Sequence, residues 1–177
     1  MRPKIRLFLW LLSACLMPVG AAADDNDRCR DHSNISAAIA ACDRVIASSR
    51  STKVDLVHAY TNRGQAWYTQ DQYDQAISDL TTAISLDSRF PIAYGNRGNA
   101  WYMKNQLDRA IDDYSEAIRI DPNYTAAYTG RGLAYERRGD NERARESYRG
   151  ALAVPQKNAD GKWAHDKARE RLRHLEK

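Results

Sequence analysis

The chain has 177 residues, enough for a single domain. Three of its 27 basic residues lie in the first 23 positions, which leaves 24 basic residues against 23 acidic ones in the remainder. The basic overall charge is therefore poor evidence for nucleic-acid binding, and we expect no nucleic-acid partner. The charge is uneven, because residues 24–130 carry 11 basic and 15 acidic residues and residues 131–177 carry 13 and 8.

The first 23 residues have the pattern of a secretory signal peptide. Basic residues at positions 2, 4 and 6 precede an apolar run at 5–12, and an alanine triplet at 21–23 offers a cleavage site. We expect residues 1–23 to be removed and the mature protein to be periplasmic or secreted.

A lipoprotein signal is the alternative interpretation of the same segment. Leu12, Ser13, Ala14 and Cys15 resemble a bacterial lipobox, in which Cys15 would be lipidated and would anchor the protein to the membrane. The apolar character continues past Cys15, and this favours cleavage after Ala23.

The rest of the chain repeats every 34 residues. The recurring residues are Gly64, Gly98 and Gly132, then Ala76, Ala110 and Ala144, then Ala83, Ala117 and Ala151, with an aromatic at Trp67, Trp101 and Tyr135. A fixed period of this length indicates stacked copies of one supersecondary unit.

Each copy is predicted to be a helix A, a turn and a helix B. The predicted pairs are 57–70 with 74–85, 91–104 with 108–119, and 125–138 with 142–153. The turns fall at Asp71, Asn105 and Gly139, residues that tolerate the left-handed conformation that ends a helix. The repeated glycines are expected to lie against the alanines at 76, 110 and 144, and the aromatics against residues 80, 114 and 148.

These residues together resemble the tetratricopeptide repeat, in three copies at 57–90, 91–124 and 125–158. The resemblance implies an all-α, right-handed solenoid whose A helices line a concave groove. Arg63 and Arg97 stand where the family often has an apolar residue, and we expect them to pair with Asp79 and Asp113 on helix B.

The same template, laid on residues 24–52, implies a truncated N-terminal half-repeat. Cys29 then falls on the helix A aromatic position and Cys42 on its helix B partner, so the template predicts a disulfide there. A metal site at Cys29, His32 and Cys42 is disfavoured because a fourth ligand is missing. Thr52 and Asp55 predict a capping box that begins an elongated first helix at residue 53.

Residues 159–177 are predicted to form a C-terminal capping helix. Alanine and leucine at 164, 168, 172 and 175 form an apolar stripe, and charged residues fill the other face. The chain shows no catalytic constellation, phosphate-binding loop or metal-binding motif, so we expect no enzyme activity, cofactor or metal.

The resemblance implies a partner-binding groove built from fixed helix A positions. These are His58, Thr61, Asn62, Gln65, Tyr68 and Thr69 in the first copy, Ile92, Asn96, Asn99, Tyr102 and Met103 in the second, and Ala126, Thr129, Leu133, Glu136 and Arg137 in the third. The asparagines resemble part of the carboxylate clamp of chaperone-tail binders, but the lysines of that clamp are missing. An alternative role for the asparagines is hydrogen bonding between repeats.

The sequence therefore predicts a noncatalytic interaction module of the bacterial cell envelope that binds a protein or peptide in this groove. A structural or self-associating protein that docks through the solenoid ends or the convex face is the alternative, and an enzyme accessory subunit is a third possibility. Contact with a membrane is expected only if Cys15 is lipidated.

Overall fold

The computed structural model describes residues 20–155 and 159–177. In these ranges the chain forms nine α-helices: α1 (Gly20–Arg30), α2 (Ile35–Ala47), α3 (Lys53–Thr69), α4 (Tyr73–Leu86), α5 (Pro91–Met103), α6 (Leu107–Ile120), α7 (Thr125–Arg137), α8 (Asn141–Ala153) and α9 (Ala159–Leu175). The predicted all-helical repeat solenoid is confirmed. Most of the predicted signal segment, including Cys15, lies outside the described residues.

The helices alternate between two layers. The odd-numbered helices are here called the A helices and the even-numbered helices the B helices. Each of α1, α3, α5 and α7 packs against the B helix that follows it, α9 packs against α8, and neighbouring A helices also contact one another. Within the described ranges no such contact joins neighbouring B helices. The A layer is therefore the more closely packed, inner layer, and its open side is the concave face of the solenoid.

Left-handed residues follow the A helix of each repeat, as predicted. The φ angle is 59° at Asp71 and at Asn105, and 87° at Gly139. In each turn the following residue donates its N–H to a carbonyl five residues earlier, at 2.9 Å. Asp, Asn and Gly are the residues that adopt this conformation at least cost, so the turn residues fix where each A helix ends.

The predicted capping box begins α3. The Thr52 hydroxyl accepts a hydrogen bond from the Asp55 N–H at 3.1 Å, and the Asp55 carboxylate accepts one from the Thr52 N–H at 2.9 Å. Two backbone donors at the helix start are thereby satisfied. The helix begins four residues before the first 34-residue copy, and this confirms the elongated first helix.

The repeated glycines make room for a large B-helix side chain. A Cβ added at Gly98 would meet the Tyr114 ring at 2.9 Å, and one at Gly132 would meet the Tyr148 ring at 2.4 Å. At Gly64 the added Cβ would meet the Leu80 side chain at 2.8 Å and the carbonyl oxygen of Ala76, the predicted neighbour, at 3.3 Å. The close approach of Leu80, Tyr114 or Tyr148 therefore requires glycine at each of these positions.

Two of the repeated arginines form the predicted pairs with helix B. Arg63 donates to both carboxylate oxygens of Asp79, each at 2.7 Å, and Arg97 donates to those of Asp113 at 2.8 and 2.7 Å. The two carboxylates are only 9% exposed. Bidentate pairs of this kind are strong and geometrically specific, so they fix each A helix against its own B helix.

The two ends of the solenoid are closed differently. At the N-terminal end the sulfur atoms of Cys29 in α1 and Cys42 in α2 lie at disulfide-bonding distance, 2.09 Å, inside a small buried cluster with Val45 and Ala59. At the C-terminal end α9 packs on both α7 and α8, with Ala168 in the same buried cluster as Tyr148. In the described part of the chain, no helix is both long enough and apolar enough to cross a lipid bilayer.

Candidate peptide-binding groove

The open side of α5 carries apolar side chains at both ends and an amide between them. Ile92 and Met103 are 44% and 43% exposed. They are 11 residues apart, about three helical turns, so they project from the same side of the helix about 16 Å apart. Asn96 lies one turn after Ile92, and its Nδ2 atom is buried without a hydrogen-bond partner among the described residues. We call these three residues the α5 strip.

The remaining predicted residues of α5 are held by contacts within the protein. Asn99 accepts a hydrogen bond from the Tyr114 hydroxyl at 2.7 Å, so its side-chain oxygen stabilises the packing of α6. The Tyr102 ring packs against the core cluster around Tyr114 and lies 5.0 Å from the Arg137 guanidinium. Arg137 also donates to the Tyr102 carbonyl oxygen at 3.2 Å. Asn99 therefore bonds within its own repeat, between α5 and α6, and not between repeats as the alternative for the asparagines had it.

The α3 residues line the groove unevenly. His58 is half-buried, with its ring edge-on to Phe90 at 5.2 Å, and Asn62 points its amide towards Cys29 of α1, with Nδ2 3.9 Å from Sγ. Gln65 is exposed and makes no side-chain hydrogen bond within the described ranges. Gln65 is thus the α3 side chain most available to a ligand.

Tyr68 forms the floor of the groove next to α5. It packs against the buried cluster of the first repeat, and its ring lies 5.7 Å from that of Tyr73. Burial raises the pKa of the Tyr68 hydroxyl, and the nearby Asp71 and Tyr102 raise it further. Tyr68 therefore stays neutral at physiological pH, as a hydrogen-bonding group on an apolar floor.

Three predicted positions do not line the groove. Thr61 and Thr129 are 3% and 0% exposed, and the Thr61 hydroxyl donates to the Val57 carbonyl oxygen of its own helix at 2.8 Å. The Thr129 hydroxyl donates to the Ala164 carbonyl oxygen of α9 at 3.1 Å. Leu133 is partly buried in the cluster that joins α7, α8 and α9. The prediction placed these residues from their position on helix A alone. It missed these contacts because packing of the neighbouring helices determines which helix A side chains stay exposed.

Glu136 is held by α9 and α8. Its carboxylate pairs with Arg171, whose Nε donates at 3.0 Å, and accepts a hydrogen bond from the Tyr148 hydroxyl at 2.7 Å. Burial by itself would raise the pKa of Glu136, but these two hydrogen bonds outweigh it and hold the pKa below its usual range. Glu136 is therefore ionised, and its negative charge is balanced by Arg171 within the protein.

The capping helix itself extends the concave layer, which the sequence interpretation missed. Because α9 contacts α7 as each A helix contacts the previous one, it occupies the place of a further A helix. The 34-residue register puts Trp163 at the position of Thr129, and Trp163 is 59% exposed whereas Thr129 is buried. Continuing the repeat register past residue 158 would have found this position.

In the described residues no group of three or more histidine, cysteine, aspartate or glutamate side chains is arranged to hold a metal ion. Cys29 and Cys42, two members of the disfavoured metal set, form the disulfide in the structure. The exposed part of the site is a concave surface with apolar and amide side chains over a tyrosine floor.

Comparison with protein-family models identifies the family of the chain. A model described as Tetratricopeptide repeat matches residues 57–90, one described as TPR repeat matches 98–139, and a further Tetratricopeptide repeat model matches 122–161. Together they cover more than half of the 177 residues. The chain belongs to the tetratricopeptide repeat (TPR) family. No curated protein matches its sequence.

Solved TPR structures are similar to the chain. The first TPR of Spaghetti (RPAP3), bound to the HSP90 peptide SRMEEVD, is 25% identical with a TM-score of 0.60, covering 68% of this chain and 90% of that one. The Arabidopsis OM64 TPR domain is 27% identical with a TM-score of 0.59, covering 68% and 99%. MamA is 23% identical with a TM-score of 0.64, covering 90% and 93%, and shows the fold alone.

Proposed function

We propose that this protein is a noncatalytic interaction module that binds an extended segment of a protein partner in the concave groove. The observation that carries the proposal is the α5 strip: Ile92 and Met103 are exposed on one side of a helix, with the unpartnered amide of Asn96 between them. TPR units are generally interaction modules, and similar TPR structures hold peptides.

The strip suggests the chemistry of the ligand. The apolar ends are about 16 Å apart along the helix, a distance that about five residues of extended chain span. A partner segment with two apolar side chains at that spacing would contact Ile92 and Met103, and a backbone carbonyl between them would accept a hydrogen bond from Asn96. The groove thus favours an uncharged, partly apolar segment.

An acidic tail such as SRMEEVD, which the first TPR of Spaghetti binds, does not fit this groove. None of the predicted groove positions is a lysine, and Arg137, the one arginine among them, already lies over the Tyr102 ring and donates to its carbonyl. We expect the peptide SRMEEVD to show no saturable binding.

A displayed random-peptide library tests the groove and does not require the natural partner. Peptides selected on the wild-type protein are measured against the double variant Ile92→Ser/Met103→Ser. Both side chains are exposed, so the fold is expected to persist while apolar contact is lost, and affinity should fall at least about tenfold, since burying each such side chain is worth about 1.5 kcal/mol or more.

Val54→Ser is the matched control. Val54 is 63% exposed at the start of α3, outside the α5 strip, so the variant removes exposed apolar surface without touching that strip. It should keep wild-type affinity. Selected peptides that bound the α5 double variant as tightly as the control would contradict groove recognition.

We also propose that the protein works in the bacterial cell envelope, on the strength of the signal-like pattern at 1–23. The mass of the protein recovered from its own host tests this. An N-terminus at Asp24 supports export, a lipid-modified N-terminus at Cys15 supports the anchored form, and an intact Met1 contradicts both.

Self-association through the solenoid ends is a second candidate, favoured by the exposed Trp163 of the last helix. Sedimentation velocity over a concentration series distinguishes it. A sedimentation coefficient that rises with concentration in the wild type but not in Trp163→Ser would support end docking, and a constant coefficient would exclude it.

A further inference from the structure

The three repeated arginines, Arg63, Arg97 and Arg131, have equivalent surroundings. Each guanidinium lies over a tyrosine of its own helix: Arg63 is 5.4 Å from the Tyr60 ring centre, and Arg97 and Arg131 are each 5.7 Å from the rings of Tyr94 and Tyr128. Each also donates through Nη1 to the preceding B helix, to Asp43 at 2.6 Å, Thr81 at 3.1 Å and Ser115 at 3.4 Å. The helix backbone and the tyrosine ring therefore hold all three guanidinium groups in equivalent orientations.

The third copy lacks the carboxylate that completes the other two. Where Asp79 and Asp113 accept two hydrogen bonds, Ser147 accepts one, from Arg131 Nε at 3.2 Å. No carboxylate among the described residues forms an ion pair with Arg131. The partly buried charge of Arg131 is therefore without the counter-ion that its equivalents have.

The site around Arg131 has the groups that an anion needs. Replacing an aspartate by the shorter Ser147, which is 1% exposed, removes a carboxylate group from between the two helices. The hydroxyls of Ser115 and Ser147 accept from Arg131, so each keeps its own proton to donate. Two hydroxyl donors and a guanidinium therefore lie around the register position that a carboxylate occupies in the other two repeats.

We propose that Arg131, Ser115 and Ser147 bind a small monovalent carboxylate anion from solution, in the position that Asp79 and Asp113 occupy in the other repeats. The ligand completes the inter-helix pair of the third repeat and stabilises α7 against α6 and α8. The site lies between the helices rather than on the α5 strip, so it is independent of the proposed groove function.

Formate is the probe, because it is the smallest carboxylate anion and consists of little more than the carboxylate group itself. Gluconate is the matched salt, because it carries the same charged group on a body too large for the space. We expect formate to shift the Arg131 Nε–Hε resonance of the purified protein saturably, at constant ionic strength. The midpoint of thermal unfolding should rise by about 3 °C relative to gluconate, as expected for a ligand that binds only the folded state at a few times its dissociation constant.

Ser147→Asp supplies the carboxylate within the chain. This variant should lose both the resonance shift and the formate dependence of the unfolding midpoint, whereas Ser147→Ala should keep a weaker response, because it loses one hydroxyl donor and retains Arg131 and Ser115. The proposal is overturned if the Arg131 resonance of the wild type does not respond saturably, or if Ser147→Asp responds to formate as the wild type does. The wild-type titration decides the question even if the variant fails to fold.

Discussion

A glycine inside a helix usually costs stability, yet Gly132 and its equivalents recur at one register of the A helices. The cause is the large B-helix side chain opposite each glycine (Leu80, Tyr114 or Tyr148), which lies too close to admit a Cβ. The Tyr148 side chain is fully buried and its hydroxyl donates to Glu136, so it has little freedom to move aside. The glycine is thus required by packing, against its own helix propensity.

We therefore expect Gly132→Ala to destabilise the protein by about 1–3 kcal/mol, the usual range for overpacking, although alanine is the better helix former. The free energy of unfolding in urea measures this. Stabilisation by the substitution would contradict the role of the ring.

The matched control is Gly139→Asn, a glycine substitution in the same repeat. Gly139 has a φ of 87° and nothing within 4 Å of an added Cβ, and its counterpart Asn105 has a φ of 59°. Asparagine tolerates this region, so the control should be within about 0.5 kcal/mol of the wild type.

At the scale of the element, α9 depends on polar contacts as well as on its alanine stripe. Glu136 of α7 bonds Arg171 of α9, and the Thr129 hydroxyl bonds the Ala164 carbonyl. Arg145 of α8 donates to the Leu175 carbonyl at 3.1 Å. These contacts reach α9 from both helices that it covers, so they determine how a charged helix docks as the last A helix.

Glu136→Gln should weaken this docking by about 1–3 kcal/mol, the usual worth of a hydrogen bond to a charged group. Because its folded-state pKa lies below the ordinary value of 4.5, Glu136 adds stability above pH 4.5 that is lost as the pH falls through the folded-state pKa. The stability difference between wild type and variant should therefore shrink below about pH 4.5.

Asp108→Asn is the control for this prediction. Asp108 of α6 pairs with Arg138, away from α9, and is 81% exposed, so its loss should change stability by less than about 0.5 kcal/mol. Hydrogen exchange of the α9 amides provides the local readout. An equal effect of the two substitutions would contradict the docking role of Glu136.

At the scale of the whole molecule, each repeat contacts only its neighbours within residues 20–155 and 159–177, so a perturbation at one end should fade along the solenoid. The Cys29–Cys42 disulfide closes a loop of 13 residues' separation, which is worth about 3 kcal/mol in the chain-entropy model. We expect Cys29→Ser/Cys42→Ser to raise hydrogen exchange strongly in α1 and α2, less in α3, and not in α7.

Reductant serves as the internal control. It should reproduce the effect in the wild type and leave the double serine variant unchanged. A uniform rise in exchange across all helices would show that the chain unfolds as one cooperative unit and would contradict the nearest-neighbour picture.

The repeat architecture was predictable because its signals are local. Asp71, Asn105 and Gly139 mark the turns through backbone conformation alone, and Thr52 with Asp55 marks a helix start. The arginine–aspartate pairs followed from the repeat register, because each residue recurs opposite the same partner. The pairing of Cys29 with Cys42 came from the template, and its redox state in the cell stays a prediction.

The open part of the groove was decided by tertiary structure. Helix register placed Asn99, Glu136 and Thr129 on the concave side as readily as Ile92 and Met103. Only packing showed that Tyr114, Arg171 and Ala164 engage the first three and leave the other two exposed. The sequence by itself determined the repeat, its turns and its helix pairs, because these depend on local conformation and on a period. Which side chains stay free for a partner depends on neighbours distant in the chain, such as α9, and only the folded structure brings these together.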